Sequence, residues 1–83
     1  MVRSGEIISL FDIIQENEDE LLRRFGHKEV FMRKKDRDED VNYYRQNGYG
    51  YTTRDDAGVW SFQDAFDQKK DYIPSTNLLF EFL

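Results

Sequence analysis

The spacing of apolar residues changes at Gly26, and this change constrains the fold more than any other feature of the chain. Before Gly26, seven large apolar residues fall on or near one stripe of a helix with a period of about 3.6 residues. They are Ile7, Leu10, Phe11, Ile14, Leu21, Leu22 and Phe25. After Gly26, short apolar runs have the period of two that is typical of strands. The sequence therefore predicts an α+β fold, in a single domain over residues 1–83.

The amino-terminal region is predicted to form one helix or a helix pair. Asn17 is followed three residues later by Glu20, a spacing that is typical of a helix start. A break before this point would divide the region into helices over about 6–16 and about 18–25. Gly26 then stands where helices commonly end.

The pair Asn47-Gly48 is the clearest turn signal in the chain. Both central positions of a type I′ hairpin turn need positive φ, which asparagine and glycine tolerate best. The sequence therefore predicts a hairpin between segments 41–46 and 49–54. A second turn at 55–58 leads into 59–62, and the whole is predicted to be a small antiparallel meander on which the helices pack.

Two further elements are predicted near the carboxyl end. Ser61 with Asp64 three residues later indicates the start of a short helix near 62–71. The apolar segment 78–83 is then either a final strand or a docking tail. Alternate positions from Leu78 bring one leucine and two phenylalanines to the same face, which favours a strand in the chain's own sheet.

The residue types argue against catalysis. The 83 residues include no Cys and a single His, His27, and they contain no glycine-rich phosphate loop. Asp36, Asp38 and Asp40 alternate like the first ligands of an EF-hand loop. However, Val41 occupies the position that needs glycine, and Asn47 the position that needs glutamate. We therefore expect no enzyme activity, no metal and no cofactor.

The charge balance favours a protein as partner. Seventeen acidic and twelve basic residues give a net charge of −5. An acidic surface attracts basic proteins and repels phosphate backbones, so we expect a protein with a basic groove and consider direct nucleic-acid binding less favoured. No apolar run approaches about 18 residues and no signal peptide is recognisable, so we expect a cytoplasmic protein that does not bind membranes.

Four acidic residues are candidates for the partner-binding surface. Asp12, Glu16, Asp19 and Glu20 follow an i, i+4, i+7, i+8 spacing, which a continuous helix would present as a row of carboxylates. A solvated helix face is the ordinary explanation of such a row. The functional interpretation is a docking face for a basic groove, as a nucleic-acid mimic or a nuclease inhibitor would use.

A group of aromatic residues provides the other candidates. Its members are Tyr43, Tyr44, Tyr49, Tyr51, Trp60 and Phe62, with Arg45 and Arg54 between them. Such residues form cross-strand pairs, protein contacts or platforms for stacked bases. Because adjacent strand residues point to opposite faces, we expect one of Tyr43 and Tyr44 in the core and the other exposed. Tyr44, Tyr49 and Tyr51 are the candidate contact residues.

These features together predict a small acidic protein-binding module, an inhibitor or regulator that occludes its partner. One alternative is a module that binds single-stranded nucleic acid through the aromatic sheet. Another is a homo-oligomeric structural component, a homodimer for example, with the apolar carboxyl end as its contact. The profile is similar to that of small accessory proteins of phages and mobile elements, and also to that of antitoxins and immunity proteins. This is a likeness of class and no motif carries it.

Overall fold

The computed structural model describes residues 4–16, 18–37, 41–46 and 50–83. Within these ranges the strands are β1 (Ile7–Ser9), β2 (Glu29–Lys34), β3 (Tyr43–Tyr44), β4 (Tyr51–Thr52), β5 (Trp60–Ser61) and β6 (Leu78–Phe82). The helices are α1 (Leu10–Gln15), α2 (Glu18–Phe25) and α3 (Phe62–Lys69), with 3₁₀ turns at Arg54–Asp56 and Ser75–Asn77. Each strand pairing is antiparallel. The predicted α+β class is therefore confirmed.

The carboxyl-terminal strand β6 lies near the middle of the sheet. The strand order is β1-β6-β2-β3-β4, and β5 also pairs with β2. Phe80 is opposite Ile8 on one side and opposite Met32 on the other. The predicted terminal strand is thus confirmed, and it pairs with a strand on each side rather than lying at the edge of the sheet.

The predicted start of the first helix is wrong. Ile7–Ser9 pair with β6, because the backbone of that strand supplies hydrogen-bond partners that a sequence pattern cannot reveal. The Ser9 hydroxyl then accepts a hydrogen bond from the Asp12 backbone N–H at 3.0 Å and caps α1. The later start turns the helix so that Leu10 and Ile13 are its buried residues.

The predicted helix pair is confirmed. Helix α1 ends at Gln15 and α2 begins at Glu18, while Asn17 lies outside the described residues. Gly26 directly follows α2, as predicted. A Cβ atom at Gly26 would lie 2.4 Å from the Leu22 carbonyl oxygen, so this helix end requires glycine.

The predicted hairpin is present as the pair β3–β4. Tyr43 is opposite Thr52 and Tyr44 is opposite Tyr51, the register that a two-residue turn at Asn47-Gly48 would produce. The turn itself lies outside the described residues.

The last strand of the predicted meander, β5, pairs with a different strand from the one expected. Ser61 of β5 is opposite Glu29 of β2, so β5 does not continue beside β4. The backbone N–H of Gly58 donates to the Tyr44 carbonyl oxygen at 3.0 Å and directs the chain back towards β2. A Cβ atom at Gly58 would lie only 2.5 Å from the Cα of Gln46, so this close approach requires glycine.

The core lies between one face of the sheet and the helices. Its buried residues are Leu10, Ile13, Val30, Met32, Tyr44, Phe62, Ala65, Phe66, Leu78, Phe80 and Phe82. The predicted short helix is confirmed as α3, which the Ser61 hydroxyl caps by accepting a hydrogen bond from the Asp64 N–H at 3.1 Å. The opposite sheet face carries Phe31 and Glu81, and the 3₁₀ turn at Arg54–Asp56 covers part of it.

Candidate functional site

An open groove beside α1 exposes large apolar side chains. We call it the Ile73 groove. It has a volume of about 470 Å³ and is lined by Ile14, Lys70, Asp71, Tyr72, Ile73, Pro74, Ser75 and Thr76. The Ile73 side chain is 87% exposed, and that of Ile14 is 43% exposed. Phe11, 40% exposed, precedes Ile14 by one helical turn. Three large apolar side chains are therefore available at this surface.

Charges of both signs lie around the Ile73 groove, since the Lys34 ammonium is 5.6 Å from the ring centroid of Tyr72, which lines it. Lys70 and Asp71, which line it, cancel each other. Asp12 and Glu16 belong to the same short helical segment as Phe11 and Ile14, and both are exposed. Within the described part of the chain, neither of these two carboxylates has an ion-pair partner. The segment that supplies Ile14 to the groove thus also carries two exposed acids, neither of which lines the groove.

The four predicted acidic residues do not form a row on one helix, because the helix is interrupted after Gln15. Asp12 lies on α1, Glu16 follows its end, and Asp19 and Glu20 lie in the first turn of α2. Glu20 forms ion pairs with Arg23 and Arg24. Of the four, Asp12 and Glu16 lie on the segment that bears Phe11 and Ile14.

The expectation that one of Tyr43 and Tyr44 is exposed is wrong, since each is only 6% exposed. Both sheet faces are covered at this point, by helices on the side of Tyr44 and by a polar cluster on the side of Tyr43. Tyr44 packs edge-on against the half-buried Tyr51, with ring centroids 5.3 Å apart. Tyr49, the third aromatic candidate, lies outside the described residues.

The polar cluster on the other sheet face is centred on Glu81, which is 5% exposed. We call it the Glu81 cluster. The Tyr43 hydroxyl donates to Glu81 Oε1 at 2.6 Å, and Arg54 Nε donates to Oε2 at 2.8 Å. Arg33 Nη1 donates to Oε1 at 3.3 Å. The Arg54 guanidinium also lies over the Phe31 ring, 5.1 Å from its centroid.

These contacts keep the Glu81 carboxylate ionised. Burial raises the pKa of Glu81, but the hydrogen bonds from Tyr43 and Arg54 and the charges of both arginines outweigh burial and lower the pKa. Burial, together with the bond to Glu81, raises the pKa of Tyr43. A carboxylate with both oxygens engaged is a poor proton acceptor. The Glu81 cluster therefore serves to hold the 3₁₀ turn of Arg54 on the sheet.

The remaining features of the described residues offer little to a ligand. An interior cavity of about 20 Å³, lined by Glu6, Ile8, Leu21, Phe25, Phe62 and Phe82, has room for roughly one water molecule. Within the described ranges, no three His, Asp or Glu side chains converge as a metal site would require. Nor do these ranges contain a helix that is long and apolar enough to cross a membrane.

The sequence pattern missed the residues of the Ile73 groove. Phe11 and Ile14 belong to the apolar stripe that was predicted for the first helix, and no pattern marked Ile73, which lies directly before Pro74, as a contact residue. One signal was available. Four of the six residues of α1 are large and apolar, more than one face of so short a helix can bury, so some had to remain exposed.

Comparisons of the chain with protein-family models, with curated proteins and with solved structures gave no match. Evidence for a function therefore comes from the geometry and chemistry of the surface.

Proposed function

We propose that this chain is a protein-binding module that inhibits or regulates its partner by occlusion, with the Ile73 groove as its docking surface. The observation that carries the proposal is the exposure of Ile73, Ile14 and Phe11 on neighbouring elements. Occlusion needs a complementary surface and no catalytic group, so we propose a role in binding rather than in catalysis.

Exposed apolar side chains of this size favour a protein ligand. Burying each of them on binding would contribute roughly 1.5–3 kcal/mol before the costs of association. Protein interfaces typically have such apolar anchors at the centre and polar residues at the rim. Ile73 is suited to be the central anchor because its side chain is almost fully free to enter a partner's pocket.

The charge pattern favours a basic partner over a second copy of the chain. Asp12 and Glu16 are exposed on the segment that supplies Ile14 to the groove, and the whole chain carries −5. A second copy would bring the same negative charge, whereas a basic protein would be attracted during encounter. The proposed partner therefore presents an apolar pocket with lysines or arginines at its rim.

The two alternatives receive less support from the arrangement of side chains. Base stacking needs open aromatic rings, but Tyr44 is buried and the Arg37 guanidinium lies 4.1 Å from the centroid of the Tyr51 ring. The homo-oligomeric alternative needed the apolar carboxyl end as a contact. The apolar residues Leu78, Phe80 and Phe82 of that segment are buried in the chain's own core.

Removing the apolar anchors should weaken partner binding without altering the fold. We expect Ile73→Ser combined with Phe11→Ser to lower the affinity at least about 30-fold, since an interface anchor contributes about 2 kcal/mol or more. The measurement is calorimetric titration of a basic partner that has been captured on the immobilised chain and purified.

Ile7→Ser is the matched control. Ile7 is 44% exposed, but it is opposite Glu81 and so belongs to the sheet face away from the helices. We expect this variant to bind normally. Unchanged affinity in the Phe11/Ile73 variant, or an equal loss in Ile7→Ser, would refute the groove as the docking surface.

A further inference from the structure

Three cations gather over three tyrosine rings at one end of the sheet. The Lys69 ammonium lies 5.0 Å from the centroid of the Tyr44 ring, the Lys34 ammonium 5.6 Å from that of Tyr72, and the Arg37 guanidinium carbon 4.1 Å from that of Tyr51. We call these six residues the tyrosine–cation cluster. The rings fix the positions of the cations and leave their N–H groups able to donate hydrogen bonds.

The three cations of this cluster have no ion-pair partner among the described residues, which exclude the acidic residues 38–40 that follow Arg37. Across the described ranges, none of Lys34, Arg37 and Lys69 pairs with a carboxylate, whereas Arg33 and Arg54 share Glu81. Asp36 is a carboxylate that also acts on Lys34 from nearby, and it partly offsets the positive charge. Three cations without an ion pair to any described residue are unexpected in a chain with a net charge of −5.

The tyrosine hydroxyls add polar groups beside the cations. Burial and hydrogen bonding with Tyr51 and Tyr72 raise the pKa of Tyr44, so this hydroxyl stays protonated at neutral pH. Hydrogen bonding to Tyr72 raises the pKa of Lys34, which therefore stays charged. The cluster thus combines hydroxyl donors with fixed positive charges, a combination that suits an oxyanion.

Asn42 provides an independent sign of an incomplete polar site. It is 3% exposed, and within the described part of the chain its side-chain oxygen has no hydrogen-bond partner. The Lys34 backbone N–H donates to the Asn42 carbonyl oxygen at 2.9 Å, so the two residues are opposite each other on neighbouring strands and share a sheet face. A buried amide oxygen without a partner is an acceptor that only a donor can satisfy, and the P–OH group of a hydrogen phosphate ion is such a donor.

We propose that the tyrosine–cation cluster binds a phosphate group, either as the free ion or as a phosphate monoester. Three cations favour an anion with more than one charge, and hydroxyl and guanidinium donors match its several oxygens. Because a cation already covers the face of each ring, the cluster is better suited to the phosphate itself than to a stacked base. This proposal does not rest on the docking surface proposed above, although Tyr72 of the cluster also lines the Ile73 groove.

The test is a titration of the ¹⁵N-labelled full chain, followed by the amide resonances. Inorganic phosphate is added at about pH 7.5, where it is mostly a dianion, and sodium chloride keeps the ionic strength constant. Methyl phosphate is titrated separately to distinguish a monoester from the free ion. We expect saturable shifts that are concentrated around Lys34, Arg37 and Lys69.

Variants separate a specific site from general attraction of anions. Lys69→Gln and Arg37→Gln should each weaken phosphate binding about tenfold, the effect of one charge-assisted hydrogen bond. Tyr72→Phe, which keeps the ring but removes the hydroxyl, should weaken it by less. Lys28→Gln is the control, because Lys28 precedes β2 and Lys34 ends it, about 20 Å away.

Two results would overturn the proposal. One is a set of shifts that do not saturate, or that Lys28→Gln reduces as much as Lys69→Gln. The other is saturable binding of a single-stranded oligonucleotide by a chain that does not respond to phosphate or methyl phosphate. That second result would restore nucleic acid as the ligand of the aromatic sheet.

Discussion

Phe80→Ala is expected to leave most of the protein unfolded at room temperature. Phe80 is fully buried, lies on a strand with neighbours on both sides, and packs against Phe62 at a centroid distance of 5.7 Å. A buried Phe→Ala substitution costs about 3–5 kcal/mol, and a core of this size supplies only about 3–5 kcal/mol in total. Circular dichroism during thermal and urea denaturation measures the effect.

Leu83→Ala is the control for the position of β6. Leu83 directly follows the same strand but is 44% exposed, so its truncation should cost well under about 1 kcal/mol. If Phe80→Ala unfolds cooperatively at nearly the temperature of the unchanged chain, β6 is not the central strand of this fold.

Glu81→Ala is expected to have the second largest effect on stability, a loss of about 3 kcal/mol. The substitution leaves the Tyr43 hydroxyl and the Arg33 guanidinium without their acceptor in a buried place, and it frees the turn that Arg54 holds. Glu29→Ala is the matched control, since Glu29 is an exposed glutamate on β2 of the same sheet. Equal losses of stability in the two variants, measured by urea denaturation, would contradict the role of the Glu81 cluster in holding the turn of Arg54 on the sheet.

The pH dependence of the unfolding free energy provides a separate check on Glu81. Its pKa in the folded chain is below the ordinary value of 4.5, so ionised Glu81 stabilises the fold fully above that value. This contribution is lost as the pH falls from 4.5 through the folded pKa. Glu81→Gln should therefore be less stable than the unchanged chain at neutral pH, and the difference should shrink in acid. A difference that stays constant or grows in acid would be contrary to the lowered pKa.

Local patterns predicted the elements whose signals lie within a few residues. The change of apolar spacing at Gly26, the cap at Ser61 and the alternation after Leu78 are all signals of this kind, and each element they predicted is present. The hairpin strands were predicted as well, because turn chemistry fixes the register of the residues on either side.

Contacts between residues that are distant in sequence determine the features that local sequence patterns did not predict. Ile7–Ser9 form a strand only because β6, about 70 residues later, provides a free edge, and that edge outweighs a helical pattern. Glu81 alternates with Phe80 and Phe82 and so belongs to the less apolar face of its strand. Nothing nearby in sequence revealed that two arginines and a tyrosine from other elements would bury it.

A protein-binding surface was predictable from the sequence, but the residues that form it were not. An acidic surface that includes Asp12 and Glu16 was anticipated, and both are exposed on the segment that supplies Ile14 to the Ile73 groove, although neither lines it. The apolar residues of the groove were not anticipated, since their exposure depends on how α1 packs beside the 3₁₀ turn at Ser75–Asn77. Tyr44 and Tyr51 were selected for residue type alone, which does not reveal that one is buried and the other lies beneath an arginine.

The most direct test of the docking surface is photo-cross-linking from position 73. A photoreactive amino acid replaces Ile73 in one chain and Asp55 in another, since Asp55 is exposed on the 3₁₀ turn that lies over the opposite face of the sheet. After irradiation in extract of the source cells, we predict one dominant basic protein linked to position 73, little of it linked to position 55, and loss of the product when Phe11→Ser is added. Equal labelling from both positions, a product that is a second copy of the chain, or a product unaffected by Phe11→Ser would contradict the proposed function.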